Sequence, residues 1–137
     1  MKDKDKNIRI LLAQFSLETH SRGVITVAGM LRDSGMEVIL IGNSLPEQIA
    51  ETAMQEDVDV VGVSTLTGGE LILGGELLKA AEKRGIKESK VFLMGGIYPP
   101  MDMPKLKEMG FDGLFMPGAT QQEIVSCIEQ AIASKGK

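Results

Sequence analysis

The sequence contains no tryptophan and only one tyrosine, one histidine and one cysteine. The lone Cys127 excludes an internal disulfide framework, so cohesion must come from a hydrophobic core. No apolar run approaches the roughly 18 residues that a membrane-spanning helix needs. Residues 1–6 are mixed in charge and lack the apolar segment of a secretory signal. Cationic residues are the minority: 15 Lys and Arg stand against 19 Asp and Glu, for a net charge of −4. That balance argues against a nucleic-acid footprint, and no basic amphipathic stretch suggests a membrane surface. The expectation is a cytoplasmic protein with neither nucleic acid nor membrane as partner. With aromatics at 4% of the chain, the core has to be filled by aliphatic side chains and by flexible methionine, which occurs nine times.

What the sequence does have is alternation. At 137 residues, 43% hydrophobic and 25% charged, it has the size and composition of one soluble domain. Residues 8–13, 37–41, 58–63, 91–94 and 114–116 read as short strands. Between them apolar residues recur at helical spacing, as in Val24, Val27, Ala28 and Leu31, or Ile49, Ala50 and Ala53. Leu77, Leu78 and Ala81 mark a third helix, Leu106 and Met109 a short fourth, and Ile124, Ile128 and Ile132 the last. Gly35 and Gly85 mark helix ends. Ser44 with Glu47, and Thr120 with Glu123, read as capping boxes, the first with an early Pro46.

Five β/α units with near-continuous apolar strands imply a parallel sheet with helices on both faces. This is an α/β fold of the flavodoxin-like (Rossmann-type) class with strand order 2-1-3-4-5. The expected organisation is a disordered tail over 1–7 and one domain over 8–133. In such a sheet a crevice opens at the carboxyl ends of strands 1 and 3, where the winding reverses. Function should therefore lie in loops 14–23, 64–69 and 95–101.

The first loop holds the only histidine, His20, two residues after Glu18. A ligating histidine commonly donates its other ring N–H to a carboxylate; a solvent-exposed His–Glu pair is the alternative reading. Gly23 lets the next helix start close to a ligand. Neither Gly-Lys-Ser/Thr nor G-x-G-x-x-G follows strand 1, so the usual phosphate loops are excluded. Ser64 ends strand 3 where a phosphorelay receiver needs an aspartate. Gly68 and Gly69 permit a tight turn, which an ordinary capped β-to-α turn also uses. Gly95-Gly96 either admits a planar group to the backbone or serves the turn into Pro99-Pro100. Tyr98 packs over a ligand or caps the sheet. Pro117-Gly118 ends strand 5 at the same face, and Cys127 reads as a buried structural thiol.

Taken together, these loops resemble the cobalamin (B12)-binding domain of the B12-dependent mutases. The family pattern is D-x-H-x-x-G after strand 1, S-x-L after strand 3 and G-G after strand 4. This sequence carries Glu18, His20 and Gly23, then Ser64 and Leu66, then Gly95 and Gly96. Arg22-Gly23, residues 59–64, Pro99-Pro100 and Pro117-Gly118 look most like the methylmalonyl-CoA mutase branch. The departures are Glu18 for aspartate, Thr19 for glycine and Gln14 for lysine. The resemblance implies base-off/His-on binding, with His20 replacing dimethylbenzimidazole as the lower axial ligand of cobalt. The displaced nucleotide tail would enter a slot lined by Ser64, Leu66, Gly95 and Gly96, and a bulky side chain at either glycine is expected to block it. Thr19, Ser21, Arg22, Gly68, Tyr98, Pro117 and Gly118 are further implied cofactor contacts. Adenosylcobalamin, a radical 1,2-rearrangement of an acyl-CoA, and a large TIM-barrel mutase subunit carrying the substrate and catalytic residues complete what the resemblance implies. A corrinoid methyl-transfer protein and a non-enzymatic cobalamin-binding or carrier module are the alternatives.

Overall fold

Five parallel strands form the centre of the molecule: β1 (Arg9–Phe15), β2 (Glu37–Ser44), β3 (Val60–Thr65), β4 (Val91–Gly96) and β5 (Gly113–Phe115). A computed structural model describes residues 8–15, 22–65 and 69–135; the expected tail over 1–7 lies outside them. The strand order is β2-β1-β3-β4-β5, as the alternation of strand and helix patterns required. The helices are α1 (Arg22–Asp33), α2 (Pro46–Glu56), α3 (Glu70–Lys83), α4 (Met103–Met109) and α5 (Gln121–Ser134), with a 3-10 turn at Pro100–Asp102.

Side chains alternate across each strand and so feed two core layers. Ile10, Leu12, Val60, Val91 and Leu93 pack against Val24, Ala28 and Leu31 of α1 and Ile124 and Ile128 of α5. Leu11, Ala13, Phe15, Val61, Val63, Phe92 and Met94 pack against α2, α3 and α4 through Ile49, Ala53, Leu77, Ala81 and Leu106. The shortage of aromatics is met as expected, with aliphatics filling most of both layers. Each fully buried Leu, Ile or Val contributes about 1.5–3 kcal/mol relative to exposure, which is why both faces must be covered.

The edge strand β2 carries a bulge. Leu12 pairs with Leu40 but Ala13 pairs with Gly42, which leaves Ile41 as the extra residue and sets Gly42 at φ 78°. A bulge twists an exposed edge and discourages further pairing. At the amino end of the sheet, carboxylates accept backbone amides: Asp59 from Arg9 N–H at 3.0 Å and Asp112 from Phe92 N–H at 2.8 Å.

Two local expectations are corrected. The strands run further at their carboxyl ends than the apolar pattern indicated, β1 to Phe15, β2 to Ser44, β3 to Thr65 and β4 to Gly96, while β5 stops at Phe115. The ladder continues through Gln14, Ser64 and Gly95 because backbone pairing needs no apolar side chain. Ser44 does not cap α2 but ends β2. Pro46 holds Leu45 in an extended conformation (φ −79°, ψ 153°), so the helix starts one residue later and Gln48 Oε1 accepts the Leu45 N–H at 2.9 Å.

The second capping box forms as read. Thr120 Oγ1 accepts from Glu123 N–H at 3.1 Å, and Glu123 Oε1 accepts from Thr120 N–H at 2.8 Å. Thr120→Ala is expected to cost about 1 kcal/mol and to lower the melting temperature by about 4 °C. Thermal unfolding followed by circular dichroism checks this; an unchanged midpoint would show that the cap carries no stability.

Candidate functional site

The carboxyl ends of β1, β3 and β4 place one polar row above one apolar row. On the α1/α5 face the lower row is Leu12, Gly62, Leu93 and Gly113, partners across the four strands. Its two glycines are already filled by neighbours. A Cβ on Gly62 would lie 2.8 Å from Leu12 Cδ2, and one on Gly113 would lie 2.6 Å from Cys127 Sγ and 2.8 Å from Leu93 Cδ2. One step up, on the same face by the two-residue period, lie Gln14, Ser64 and Gly95. Among the described residues a Cβ on Gly95 would meet only the Phe115 carbonyl oxygen, at 3.7 Å. The apolar layer therefore closes below Ser64, and space opens beside Gly95.

The surroundings of this opening are polar and backbone-rich. Gln14 is buried, and its neighbours in register are Asn43 on β2 and Ser64 on β3. Gly23 in the first turn of α1 and Gly118 just before α5 are exposed, and among the described residues nothing lies within 4 Å of a Cβ position at either. Pro117 is exposed beside Gly118, whose φ is 98°. Both helix amino ends follow carboxyl strand ends, so their positive dipole ends lie at this edge, which suits an anionic group.

Gly96 has a different role from the one expected. Its φ is 142°, and a Cβ there would sit 1.8 Å from the Thr65 carbonyl oxygen. That carbonyl also accepts the Ile97 N–H at 3.2 Å. A side chain at Gly96 would therefore collide with the β3 backbone, whereas among the described residues one at Gly95 meets no such obstacle.

Tyr98 is buried in the layer against α3 and α4. Its hydroxyl is shared between the carbonyls of Met94 at 3.3 Å and Phe115 at 3.2 Å. Burial pushes the phenol up to about 12, against the lowering effect of the Phe115 hydrogen bond. Of the two readings of this residue, the geometry matches the sheet cap. Cys127 is half-buried over Gly113, and burial raises its thiol above the ordinary value, the opposite of an activated cysteine.

Glu18, Thr19, His20, Ser21, Leu66 and Gly68 lie outside the described residues, as does the side chain of Arg22. Sequence reasoning missed three buried polar residues at this end of the sheet: Thr65, Glu70 and Asp102. Glu70 reads as an ordinary acid in a first helical turn, and Asp102 as a surface residue in a proline-rich loop. No spacing rule marks them as buried.

Comparison with known proteins gives a consistent picture. A family model described as "B12 binding domain" matches residues 8–125. The chain is 38% identical over 130 residues to the 2-hydroxyisobutanoyl-CoA mutase small subunit of Aquincola tertiaricarbonis, covering 94% of this chain and 95% of that one. It is 37% identical to the pivalyl-CoA mutase small subunit of Xanthobacter autotrophicus, over 88% of this chain and 81% of that protein. It is 36% identical to methylmalonyl-CoA mutase of Escherichia coli, spanning 90% of this chain but 17% of that protein. Among solved structures, a cobalamin-binding protein of Desulfitobacterium hafniense superposes with a TM-score of 0.78 at 20% identity, over 91% of this chain and 59% of that one. The receiver domain of NarL from Mycobacterium tuberculosis superposes at 0.70 with 17% identity, over 93% and 98% of the two chains. At such identities these two likenesses show the fold alone.

The two adjacent glycines should respond oppositely to one methyl group. Gly96→Ala is expected to cost about 3 kcal/mol through backbone collision at positive φ, whereas Gly95→Ala should stay within about 1 kcal/mol of the parent. Urea unfolding of both variants checks this; equal losses would show that the space beside Gly95 is not open.

Proposed function

The chain belongs to the B12 binding domain family, and from that premise we propose that it is the cobalamin-binding small subunit of a carbon-skeleton acyl-CoA mutase. The observation that carries the reading is the opening beside Gly95, a cradle at the switch point that even one large side chain would fill. The fit extends to the residues around it. Ser64 offers a hydroxyl in register with Gly95, and Gly23 and Gly118 leave the helix amino ends open to a phosphodiester tail. Four large apolar side chains, Ile25, Ile72, Ile97 and Met101, stand exposed on elements that follow the carboxyl strand ends. An apolar rim of this kind suits the edge of a corrin and the surface of a partner.

In this reading the cofactor is adenosylcobalamin, bound base-off with His20 as the lower axial ligand of cobalt and Glu18 as acceptor for the other ring N–H. Ser64, Leu66, Gly68 and Gly95 line the tail slot. Thr19, Ser21, Arg22, Pro117 and Gly118 border it. Adenosylcobalamin, when bound, supplies radical chemistry through homolysis of its cobalt–carbon bond. This chain's part is to hold the tail, orient the imidazole toward cobalt and cover the lower face from water. Substrate and catalytic residues belong to a large TIM-barrel subunit that docks over the upper face. The relatives named as mutase small subunits support that division of labour. Cytoplasmic location fits the lone cysteine, and among the described residues no helix is long and apolar enough to cross a membrane.

The ligand assignment is tested by the EPR spectrum of cob(II)alamin bound to uniformly nitrogen-15-labelled protein. A nitrogen-15 doublet pattern is expected from His20 ligation; a nitrogen-14 triplet would mean that the cofactor keeps its own base. Gly95→Leu is expected to weaken cobalamin binding at least tenfold while leaving the far-ultraviolet circular dichroism unchanged. Copurification of a large acyl-CoA mutase subunit from the source cells supports the mutase reading. Binding of cobalamin with no such partner would favour the carrier module.

A further inference from the structure

Between α2 and α3, outside the polar row of the crevice, the surface carries a groove of about 330 Å³. Its base is Pro46 and Ala80, both buried, and Leu45 stands 51% exposed beside them. Glu76, Lys79 and Lys83 of α3 line it as well. Ile72 is 71% exposed one turn before Glu76. Gly75 lies between Ile72 and Lys79, at the three- and four-residue spacing of a single helix face. Among the described residues nothing lies within 4 Å of a Cβ position at Gly75. Through Ile72 the groove is continuous with the apolar rim of the crevice.

Not all the charges around the groove are paired. Glu47 is taken up by Arg84, at 2.9 Å. Among the described residues Glu76, Lys79 and Lys83 form no ion pair. Two free lysines against one free glutamate leave this patch positive on a chain of net charge −4, which favours an acidic partner. Glycine inside a helix is costly relative to alanine, and no described neighbour needs the room at Gly75. Close approach by another molecule does. In Escherichia coli methylmalonyl-CoA mutase the matched stretch is 17% of a longer chain, so it is held to the rest covalently. A separate small subunit, as read above, has no such tether and is held by surface contacts alone. A stable interface buries about 800 Å² on each partner, so contacts beyond the four rim side chains are required.

We propose that the α2/α3 groove is a second docking site for the large mutase subunit, taking an apolar side chain flanked by carboxylates. The apolar side chain lies against Leu45, Pro46 and Ala80, the carboxylates reach Lys79 and Lys83, and the backbone that carries them passes close over Gly75. This occupant rests on the small-subunit reading above. The groove adds to it the chemistry of the partner's surface, in a contact that no cofactor mediates.

Gly75→Glu tests the groove. The free variant is expected to melt at or above the parent's temperature, because glutamate is the better helix former and stands four residues before Lys79. Its hydroxocobalamin affinity should match the parent's, since the groove lies outside the crevice. The large subunit that copurifies with the parent is separated and titrated back by calorimetry. Its Kd should rise about tenfold or more for Gly75→Glu. The variant with both Lys79→Ala and Lys83→Ala should also bind more weakly and lose much of the parent's salt dependence, because two interfacial charges are gone. An unchanged Kd in folded Gly75→Glu would overturn the groove and leave the small-subunit reading standing. A parent that pairs with no large subunit would overturn both. A parent dimer that Gly75→Glu dissociates would overturn the choice of occupant in favour of a second copy.

Discussion

The contact on which the rest of the crevice depends is the passage of the Thr65 carbonyl across the face of Gly96, at a point where a Cβ would lie 1.8 Å from the oxygen. Only glycine, at φ 142°, allows β4 to follow β3 this far. Because it does, Thr65 O can accept the Ile97 N–H, and the chain turns so that Tyr98 hangs its hydroxyl on Met94 and Phe115. That turn keeps the third loop over the sheet's edge and leaves Gly95, one residue earlier and on the other face, with nothing but a carbonyl near it among the described residues. One glycine makes the fold possible and its neighbour makes the opening. The pair reads as a single motif in the sequence, yet its two members answer to different constraints.

The same architecture serves unrelated chemistry, and the likeness to a receiver domain at a TM-score of 0.70 makes the point. Function here is decided by what each strand places at its carboxyl end. Ser64 stands one residue before the end of β3, where phosphotransfer would need a carboxylate. Leu12 and Leu93 seal the layer below by filling the spaces of Gly62 and Gly113. Above that seal the row changes to Gln14, Ser64 and Gly95. The step from apolar to polar within two residues sets where the opening beside Gly95 begins.

Much of this was legible in the residues. Strand order followed from the alternation of apolar runs with helical spacing, and the helix ends from Gly35 and Gly85, which the structure holds at positive φ, 92° and 74°. What misled was equating a strand with its apolar part. Ser64, Thr65, Gly95 and Gly96 are ladder residues whose polarity or small size belongs to the crevice, so hydrophobicity stops short of the hydrogen bonds. Ser44 misled for a local reason, since the restriction that Pro46 places on its predecessor moved the helix start by one residue. The burial of Glu70 and Asp102 left no trace, because an acid in a first helical turn and one in a proline-rich loop both read as surface residues.

The placing of acids in this sheet follows from the direction of its strands. At the amino end a parallel sheet presents N–H groups, and Asp59 and Asp112 satisfy themselves there as acceptors of the Arg9 and Phe92 amides. At the carboxyl end the strands present carbonyl oxygens, which can only accept. The side chains that fit there are donors, and Tyr98 is one, giving its hydrogen to two strand carbonyls. A buried acid at that end meets strand carbonyls, and Glu70 there is held above the usual carboxylate range, first of all by burial.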